Sequence, residues 1–225
     1  IMKSRRALAV SLLIAVSLLF TACTGQDKKQ PTDKTGGKGP NGRDAIADML
    51  TVCVGPNPDT IDPALNSAVD GATLIIHGFE GLMTLDKDGL PVPGQAESYD
   101  VSDDGRTYTF HLRANLKWSD GKALTANDFV YSWNRAISPD TAADYAYMFE
   151  IIEGYEEGKL NVTAPDDKTL VVTLKNAVPY FLEITAFPTF SPVRQDIIEA
   201  NGDSWAVDPK TYIGNGPYKM TEWVP

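Results

Sequence analysis

The chain has 225 residues, of which 43% are hydrophobic and 22% charged, a composition typical of globular proteins rather than disordered, collagen-like or polytopic membrane proteins. Its formal net charge is −10, and without residues 1–22, which carry three basic residues and no acid, the charge is −13. An acidic surface repels phosphate backbones and anionic lipid headgroups, so we expect no nucleic-acid partner.

The N-terminus has the pattern of an export signal. Three basic residues precede an apolar run from Ala7 to Phe20, which is too short to span a bilayer but fits the hydrophobic region of a signal peptide. The run closes on Phe20-Thr-Ala-Cys23, which resembles a bacterial lipobox although Phe replaces the usual Leu. We therefore predict a lipoprotein signal peptide over 1–22 and lipidation at Cys23. The alternative is an ordinary signal peptide beside an unmodified cysteine.

The segment after the signal predicts a flexible tether over residues 23–44. Residues 24–44 contain no aliphatic or aromatic side chain, so they cannot bury enough apolar surface to fold. The only other cysteine is Cys53, so acylation of Cys23 would leave no internal disulfide. Cys53 lies in the alternating apolar run Leu50–Val54, which predicts a buried strand, and we assign it no chemistry.

Strands and helices are both predicted along the rest of the chain. Two prolines, Pro58 and Pro63, predict a bend, and residues 72–79 predict a short buried helix. Residues 96–113 have the period of a β-hairpin, with Asp103-Asp104-Gly105 as the turn. The apolar residues of its second strand point to one face: they are Tyr108, Phe110 and Leu112.

The clearest helix is predicted to begin at Thr125, which forms a capping box with Asp128. It should end before Pro139 and bury one apolar face. The further predicted elements are a second hairpin over 160–174, helices near 180–184 and 193–201, and an extended segment over 218–224. This mixture predicts an α/β or α+β fold.

Sequence patterns of metal and nucleotide chemistry are absent. His77 and His111 are the only histidines, and only His77 has an acidic residue at helical spacing, Glu80, with no third ligand. No phosphate-binding loop, dinucleotide-binding glycine motif or nucleophile elbow occurs. The acidic pairs at 103–104 and 166–167 lie in predicted turns, which favours solvated turns over a catalytic dyad. We expect no cofactor, no metal and no catalytic residue.

Two motifs carry a resemblance to a known family. SDDGRTYTFHLR over Ser102–Arg113 and KWSDGKALTANDF over Lys117–Phe129 resemble the signature of the bacterial oligopeptide-binding family, the extracytoplasmic solute-binding proteins of ABC peptide importers. The resemblance runs from Val52 to the end. Further blocks follow the family's order and spacing: Asp62-Pro63, Phe79–Leu82, Pro93–Ser98, Val178–Phe181 and Asn215–Tyr218.

The resemblance implies a periplasmic-binding-protein-like fold, in which two α/β lobes enclose a peptide and a subdomain is inserted into the first lobe. Residues 45–90 and 212–225 would be two parts of the first lobe, and residues 91–211 the inserted subdomain. The second lobe would be absent from this chain, which would be an N-terminal fragment. Trp118 and Trp133 are interpreted as core aromatics because each lies in an apolar periodic pattern.

Two ligand contacts are implied by the resemblance. The segment Asn66, Ser67, Ala68 and Val69 matches a stretch that lies along the bound peptide and hydrogen-bonds its main chain. Some relatives carry an acidic residue at the position of Ser67. The contribution of that negative charge to holding the peptide's amino group is therefore missing from this chain. Tyr145 matches a tyrosine that contacts ligand from the inserted subdomain, with a packing tyrosine as the alternative. The family's main acid for the peptide amine would belong to the absent lobe.

The function implied is a lipoprotein that captures extracellular oligopeptides and delivers them to ABC permease subunits. It would be an exported monomer, lipid-anchored through Cys23 on the outer face of the cell membrane or in the periplasm. The first alternative is the same fold binding a nickel complex, haem or an oligosaccharide. The others are a surface lipoprotein hydrolase, which would need facing carboxylates, and a peptide-pheromone receptor or adhesin.

Overall fold

The computed structural model describes residues 53–224. The predicted signal peptide, Cys23 and the tether lie outside the described residues, as do positions 50–52 of the first predicted strand. Cys53 and Val54 are described, and neither belongs to a strand. Cys53 is exposed, so the prediction that it is buried is wrong. The reason is that no strand within 53–224 pairs with this segment and covers it.

The first helix of the described residues, α1, spans Val69–Gly78 and begins three residues before its predicted start. The amide of Ala72 donates to the carbonyl of Ala68 over 3.0 Å, which closes the first turn. One face is buried at Gly71, Ile75 and Gly78. The opposite face is open, since Val69 is 84% exposed, so the helix is half-buried rather than buried as predicted.

Within residues 53–224, six strands form two antiparallel sheets. Strands β1 (Met83–Leu85) and β2 (Pro91–Pro93) form a two-stranded ribbon. The larger sheet has the order β3-β4-β6-β5, and its strands are β3 (Ala96–Val101), β4 (Thr107–Leu112), β5 (Val162–Asp166) and β6 (Thr169–Thr173). Both predicted hairpins are confirmed, and β4 joins them by pairing with β6.

The buried face of the larger sheet is aromatic. Tyr108, Phe110 and Leu112 are buried, which confirms the alternation predicted for β4. Phe181 packs its ring edge against Tyr108, with the ring centroids 4.8 Å apart. Such edge-to-face pairs add about 0.5–1.5 kcal/mol to the effect of area burial.

Helix α2 spans Ala126–Ile137, as the capping pattern predicts. The carboxylate of Asp128 accepts hydrogen bonds from the Thr125 amide at 2.7 Å and the Thr125 hydroxyl at 3.2 Å. Burial raises the pKa of Asp128, and the bonds from Thr125 oppose that rise. Trp133 is fully buried and its Nε1–H donates to the carbonyl of Phe190 over 2.9 Å, so it is a core residue as interpreted.

The remaining elements are short. They are the 3₁₀ helix Ala146–Phe149, helix α3 (Phe181–Ile184), the 3₁₀ helix Pro188–Phe190, helix α4 (Gln195–Asn201) and the 3₁₀ helix Gly202–Ala206. Residues 218–224 form neither helix nor strand, so the extended conformation expected for them stays a prediction. Among residues 53–224, no helix combines the length and apolar character needed to cross a membrane.

The last described segment returns to the end of α1. The amide of Gly216 donates to Gly78 over 2.9 Å, and the amide of Tyr218 donates to His77 over 2.9 Å. A Cβ at Gly214 would lie 2.0 Å from the carbonyl oxygen of Gly78, so this approach requires glycine. Residues more than 130 positions apart therefore pack backbone against backbone.

A buried arginine fastens α4 to the loop before α2. The Arg194 guanidinium bonds both carboxylate oxygens of Asp196, at 2.7 and 2.6 Å, and donates to Asp120 at 2.9 Å. The same guanidinium lies 5.9 Å from the ring centroid of Trp118, which is buried as interpreted. The hydrogen bond from Arg194 is the main cause that holds the pKa of Asp196 well below its ordinary value.

We expect Asp196→Asn to flatten the acid dependence of stability. Because the folded pKa of Asp196 lies below its ordinary value of 3.8, the ion pair stabilises the fold above that pH and is lost as pH falls through the lower folded pKa. Urea unfolding at pH 6, 4 and 2.5 would check this, with Asp203→Asn as the control at an exposed carboxylate. An equal acid response in the two variants would contradict the expectation.

Candidate functional site

The bend before α1 is built around Asp62. Its carbonyl accepts the amides of Leu65 at 3.1 Å and Asn66 at 2.9 Å, and its carboxylate Oδ1 accepts the amide of Ala64 at 2.9 Å. The intervening Pro63 has no amide proton to satisfy. The predicted bend is therefore a hydrogen-bonded turn that is closed from both the main chain and the side chain of one aspartate.

The turn leads into an exposed segment, Ser67–Val69, that ends in the first residue of α1. Ser67, Ala68 and Val69 are all exposed, and Ala68 has φ −121° and ψ 152°. Within residues 53–224 no acceptor pairs with the amide N–H of any of these three residues. Exposed main-chain donors beside an extended residue can pair with a second, extended chain.

Asn66 differs from its neighbours because its side chain is buried. Only 6% of Asn66 is exposed, and its Nδ2 donates to the carbonyl of Ala68 over 2.9 Å. A Cβ at Gly71 would lie 2.0 Å from Oδ1 of Asn66, so the side chain fits only over a glycine. The side chain of Asn66 thus shapes the segment from beneath, and ligand contact by its main chain stays a prediction.

The structure brings Tyr145 to this segment. Its hydroxyl lies 3.5 Å from the carbonyl oxygen of Ser67 in donor geometry, a long distance for a hydroxyl hydrogen bond. The ring of Tyr145 is half-buried and meets Phe187 edge-on, with centroids 5.2 Å apart, while Tyr147 lies at 6.1 Å. The two contacts implied separately by the resemblance therefore share one place on the surface.

A buried junction supports the site from below. The Arg135 guanidinium donates to both oxygens of the Asp62 carboxylate, over 3.0 and 2.6 Å, and Nε1–H of Trp205 donates to Oδ2 over 2.9 Å. Neither partner of Asp62 was predicted. The local signal is weak, since Arg135 is one more half-exposed residue in a helix and Trp205 lies in a short 3₁₀ helix.

Tyr212 closes the same junction from the other side. Its hydroxyl donates to the carbonyl of Ile61 over 3.1 Å, and its ring stacks on Trp205 with centroids 5.7 Å apart. Burial raises the pKa of Tyr212 well above its ordinary value, and the negative charge of Asp62 raises it further. The phenol is therefore a neutral donor at physiological pH.

The described residues offer hydrogen-bond donors and aromatic surface at this site. Within the part of the chain that the structure describes, no three His, Cys, Asp or Glu side chains are grouped to hold a metal ion. The exposed face combines three main-chain amides with the hydroxyl and ring of Tyr145. Such a surface can bind an extended chain through its backbone.

Comparison with known proteins identifies the family. A family model described as "Bacterial extracellular solute-binding proteins, family 5 Middle" matches residues 91–225. The chain belongs to this family. The family assignment and the mixed α/β periplasmic-binding-protein-like fold inferred from the sequence motifs are both confirmed.

Individual members of family 5 are similar over most of this chain. It is 38% identical to the oligopeptide-binding protein OppA of Bacillus subtilis over 99% of this chain and 41% of that protein. It is 40% identical to the probable deoxycholate-binding periplasmic protein YgiS of Escherichia coli, over 75% of this chain and 33% of the other. The chain therefore spans well under half the length of these relatives.

A solved structure of a family 5 member agrees with the fold. It is the Haemophilus influenzae OppA complex with the peptide RPPGFSPFR, which matches with a TM-score of 0.72 at 36% identity. The match covers 76% of this chain and 35% of the other. The likeness therefore extends over most of the residues described here.

Gly71→Ala should displace Asn66 and destabilise the fold. The new Cβ would meet Asn66 Oδ1 at 2.0 Å and the main-chain oxygen of Thr60 at 2.5 Å, and the latter cannot rotate away. We expect a loss of about 1–3 kcal/mol in the free energy of unfolding. Urea unfolding measures the loss, with Ser67→Ala as the neighbouring exposed control. A stable Gly71→Ala protein with wild-type ligand affinity would contradict this account of the segment.

Proposed function

We propose that the complete protein is the substrate-binding lipoprotein of an ABC importer, which captures oligopeptides outside the cell and delivers them to membrane permease subunits. The observation that carries the proposal is the exposed segment Ser67–Val69, whose amides have no acceptor within residues 53–224, beside Tyr145. The names of the relatives support it, since one is an oligopeptide-binding protein and another is a complex with a nonapeptide.

Recognition through the main chain explains how one site can accept many peptides. Amide and carbonyl groups recur at every position of an extended peptide, whatever its side chains are. In the complete protein, a second lobe would close over the peptide and bury these hydrogen bonds. The closed form would then be the one that the permease selects.

The division into lobes is part of the proposal. Residues 45–90 and 212–225 would form two pieces of the first lobe, with residues 91–211 inserted between them. The hydrogen bonds from Gly216 and Tyr218 to the end of α1 support this division, because they join the two proposed pieces across the insert. Lobe closure would then move the second lobe toward Ser67–Val69.

Export, anchoring and the absence of catalysis complete the proposal. The signal over 1–22 would direct export, Cys23 would carry the acyl chains, and 23–44 would be the tether. A single acyl chain holds a protein only weakly, so lasting attachment would need more than one. The protein would act as a monomer and perform no covalent chemistry, since ATP hydrolysis would take place in another subunit of the importer.

A second candidate ligand is a steroid acid. The relative from E. coli is named as a probable deoxycholate-binding protein, so family membership alone does not decide between a peptide and a bile acid. Peptide is favoured here because the main-chain amides of Ser67–Val69, which have no acceptor in the described part of the chain, match a peptide backbone, whereas a steroid offers few groups to pair with them. No relative reported above is named for nickel, haem or oligosaccharide binding, or as a hydrolase.

Val69→Pro tests main-chain recognition directly. Val69 is the first residue of α1, where proline is well tolerated, and Ala68 before it already has the extended backbone that proline requires. The substitution removes one exposed N–H and little else. We expect calorimetry of the complete protein with RPPGFSPFR to show affinity weaker by about three- to tenfold, equivalent to one net hydrogen bond.

Val69→Ala is the matched control, because it shortens the side chain and keeps the amide. Tyr145→Phe should also weaken binding, since it removes the hydroxyl beside Ser67. Equal affinities for Val69→Pro and Val69→Ala would exclude pairing at this amide. Heat with deoxycholate and none with RPPGFSPFR or a mixed tripeptide pool would overturn the proposed substrate.

Cys23→Ser should release the protein from the membrane. The group that carries the acyl chains would be attached through a thioether bond to the Cys23 sulfur, so the variant should lose labelling by a radioactive fatty acid and move from the membrane fraction to the soluble fraction. Cys53→Ser, at the other cysteine, is the control and should stay membrane-bound. A labelled, membrane-bound Cys23→Ser protein would show that the anchor lies elsewhere.

A further inference from the structure

We propose that the buried Asp62–Arg135 ion pair is a positioning device that fixes the ligand-facing main chain of Ser67–Val69 against Tyr145. This inference rests on the proposed function and adds two residues to it. Neither residue would touch the peptide. Each would act through the segment that follows it in the chain.

The contacts of Asp62 leave its carboxylate one orientation. Oδ1 accepts from Arg135 at 3.0 Å and from the Ala64 amide at 2.9 Å, while Oδ2 accepts from Arg135 at 2.6 Å and from Trp205 at 2.9 Å. The two side chains are only 3% and 13% exposed. A planar guanidinium that meets a carboxylate with two parallel bonds fixes direction as well as distance.

The pair lies at the base of a closed ring of contacts. From Asp62 the chain passes through its hydrogen-bonded turn to Ser67, five residues later. From Arg135, in the last turn of α2, a short loop leads to Tyr145, ten residues later. The ring closes where the Tyr145 hydroxyl faces the Ser67 carbonyl. The two arms of this ring, from Asp62 to Ser67 and from Arg135 to Tyr145, are both short. We therefore expect a displacement of the ion pair to displace the ligand-facing segment as well.

The arm from Arg135 to Tyr145 has a defined backbone. The carbonyl of Ser138 accepts the amides of Thr141 at 3.0 Å and Ala142 at 3.3 Å, and Ala142 has φ 52°. An alanine in the left-handed region is uncommon, and the amide of Ala142 is held by the Ser138 carbonyl. The loop therefore carries the position of α2 to Tyr145 instead of absorbing its movement.

The charge on the pair makes this positioning sensitive to substitution. Among residues 53–224, Arg135 is the one cation that forms an ion pair with Asp62. A buried carboxylate without its counter-charge is strongly disfavoured, so it must move toward water or take up a proton. Either response would alter the turn that holds the amides of Leu65 and Asn66.

The test compares Arg135→Gln with Arg194→Gln in the complete protein. Both substitutions remove an arginine that holds a carboxylate with two bonds, but Arg194 binds Asp120 and Asp196, away from the ligand-facing segment. Three quantities are measured for each variant: thermal unfolding, affinity for RPPGFSPFR per active molecule, and hydrogen exchange of the Leu65 and Asn66 amides without ligand. Arg135→Lys keeps the positive charge and loses the two parallel hydrogen bonds of the guanidinium. It replaces Arg135→Gln in the test if that variant does not fold.

We expect Arg135→Gln to weaken peptide affinity by about tenfold and to speed exchange of the two amides, with Arg135→Lys between it and the wild type. Arg194→Gln should lower thermal stability while leaving affinity and these amides unchanged. In a Tyr145→Phe background the effect of Arg135→Gln on affinity should shrink, because the two residues act through the same contact.

Three results would overturn the inference: equal losses of affinity in the two arginine variants, full additivity with Tyr145→Phe, or unchanged exchange of the two amides in Arg135→Gln. A wild-type protein that binds no peptide would instead refute the proposed function. Exchange on the unliganded protein distinguishes these failures, since it reports on the Asp62–Arg135 pair without any ligand.

Discussion

The arrangement of the site depends on one buried carboxylate. Asp62 takes hydrogen bonds from its own turn, from helix α2 and from the 3₁₀ helix near residue 205, so a single group orients three distant parts of the chain. Its solvation in water is replaced by four donors, one pair of which carries a full positive charge. A buried ion pair of this kind contributes little net stability compared with apolar packing, but it permits only one geometry. The Asp62 junction therefore fixes the orientation of its partners more than it adds to the stability of the fold.

That geometry suits the peptide-binding surface proposed above, which would pair with the main chain of a peptide whatever its side chains are. The buried side chain of Asn66 donates to the carbonyl of Ala68 from beneath the segment Ser67–Val69, and Gly71 leaves room for that side chain. A backbone ladder needs its donors in register with the peptide, since a hydrogen bond weakens steeply with misalignment. A pocket that holds a side chain tolerates small movements of its walls, whereas a ladder of main-chain hydrogen bonds does not tolerate such movements of its donors. A rigid support beneath the ladder is therefore consistent with the proposal that one site binds peptides of many different sequences.

Local patterns predicted local structure well and long-range contacts poorly. The alternation of Tyr108, Phe110 and Leu112 identified β4 because one face of that strand is buried, and Thr125 marked the start of α2 because a helix terminus needs a cap. Cys53 was misplaced because an apolar alternation indicates a strand only when a neighbouring strand covers it. Arg135 could not be predicted as the partner of Asp62, since the pattern of an amphipathic helix carries no information about a contact 73 residues earlier. The family resemblance implied Ser67 and Tyr145 as separate ligand contacts, and their meeting was not predicted, because no periodicity links two loops.

The backbone contact between Gly216 and the end of α1 also bears on how the molecule is made. Glu80 and Asn215 exchange two hydrogen bonds across 135 residues of sequence, so α1 has no partner for this surface until the chain beyond residue 215 has been delivered. The hairpins and α2 lie between them and rely on nearer neighbours, which favours their earlier formation. A polypeptide that is still emerging from its ribosome or its export channel would thus expose an incomplete apolar surface until those residues have emerged. Sequences of this architecture must remain soluble during that interval, and the excess of acidic residues gives the growing chain a repulsive charge that opposes its aggregation.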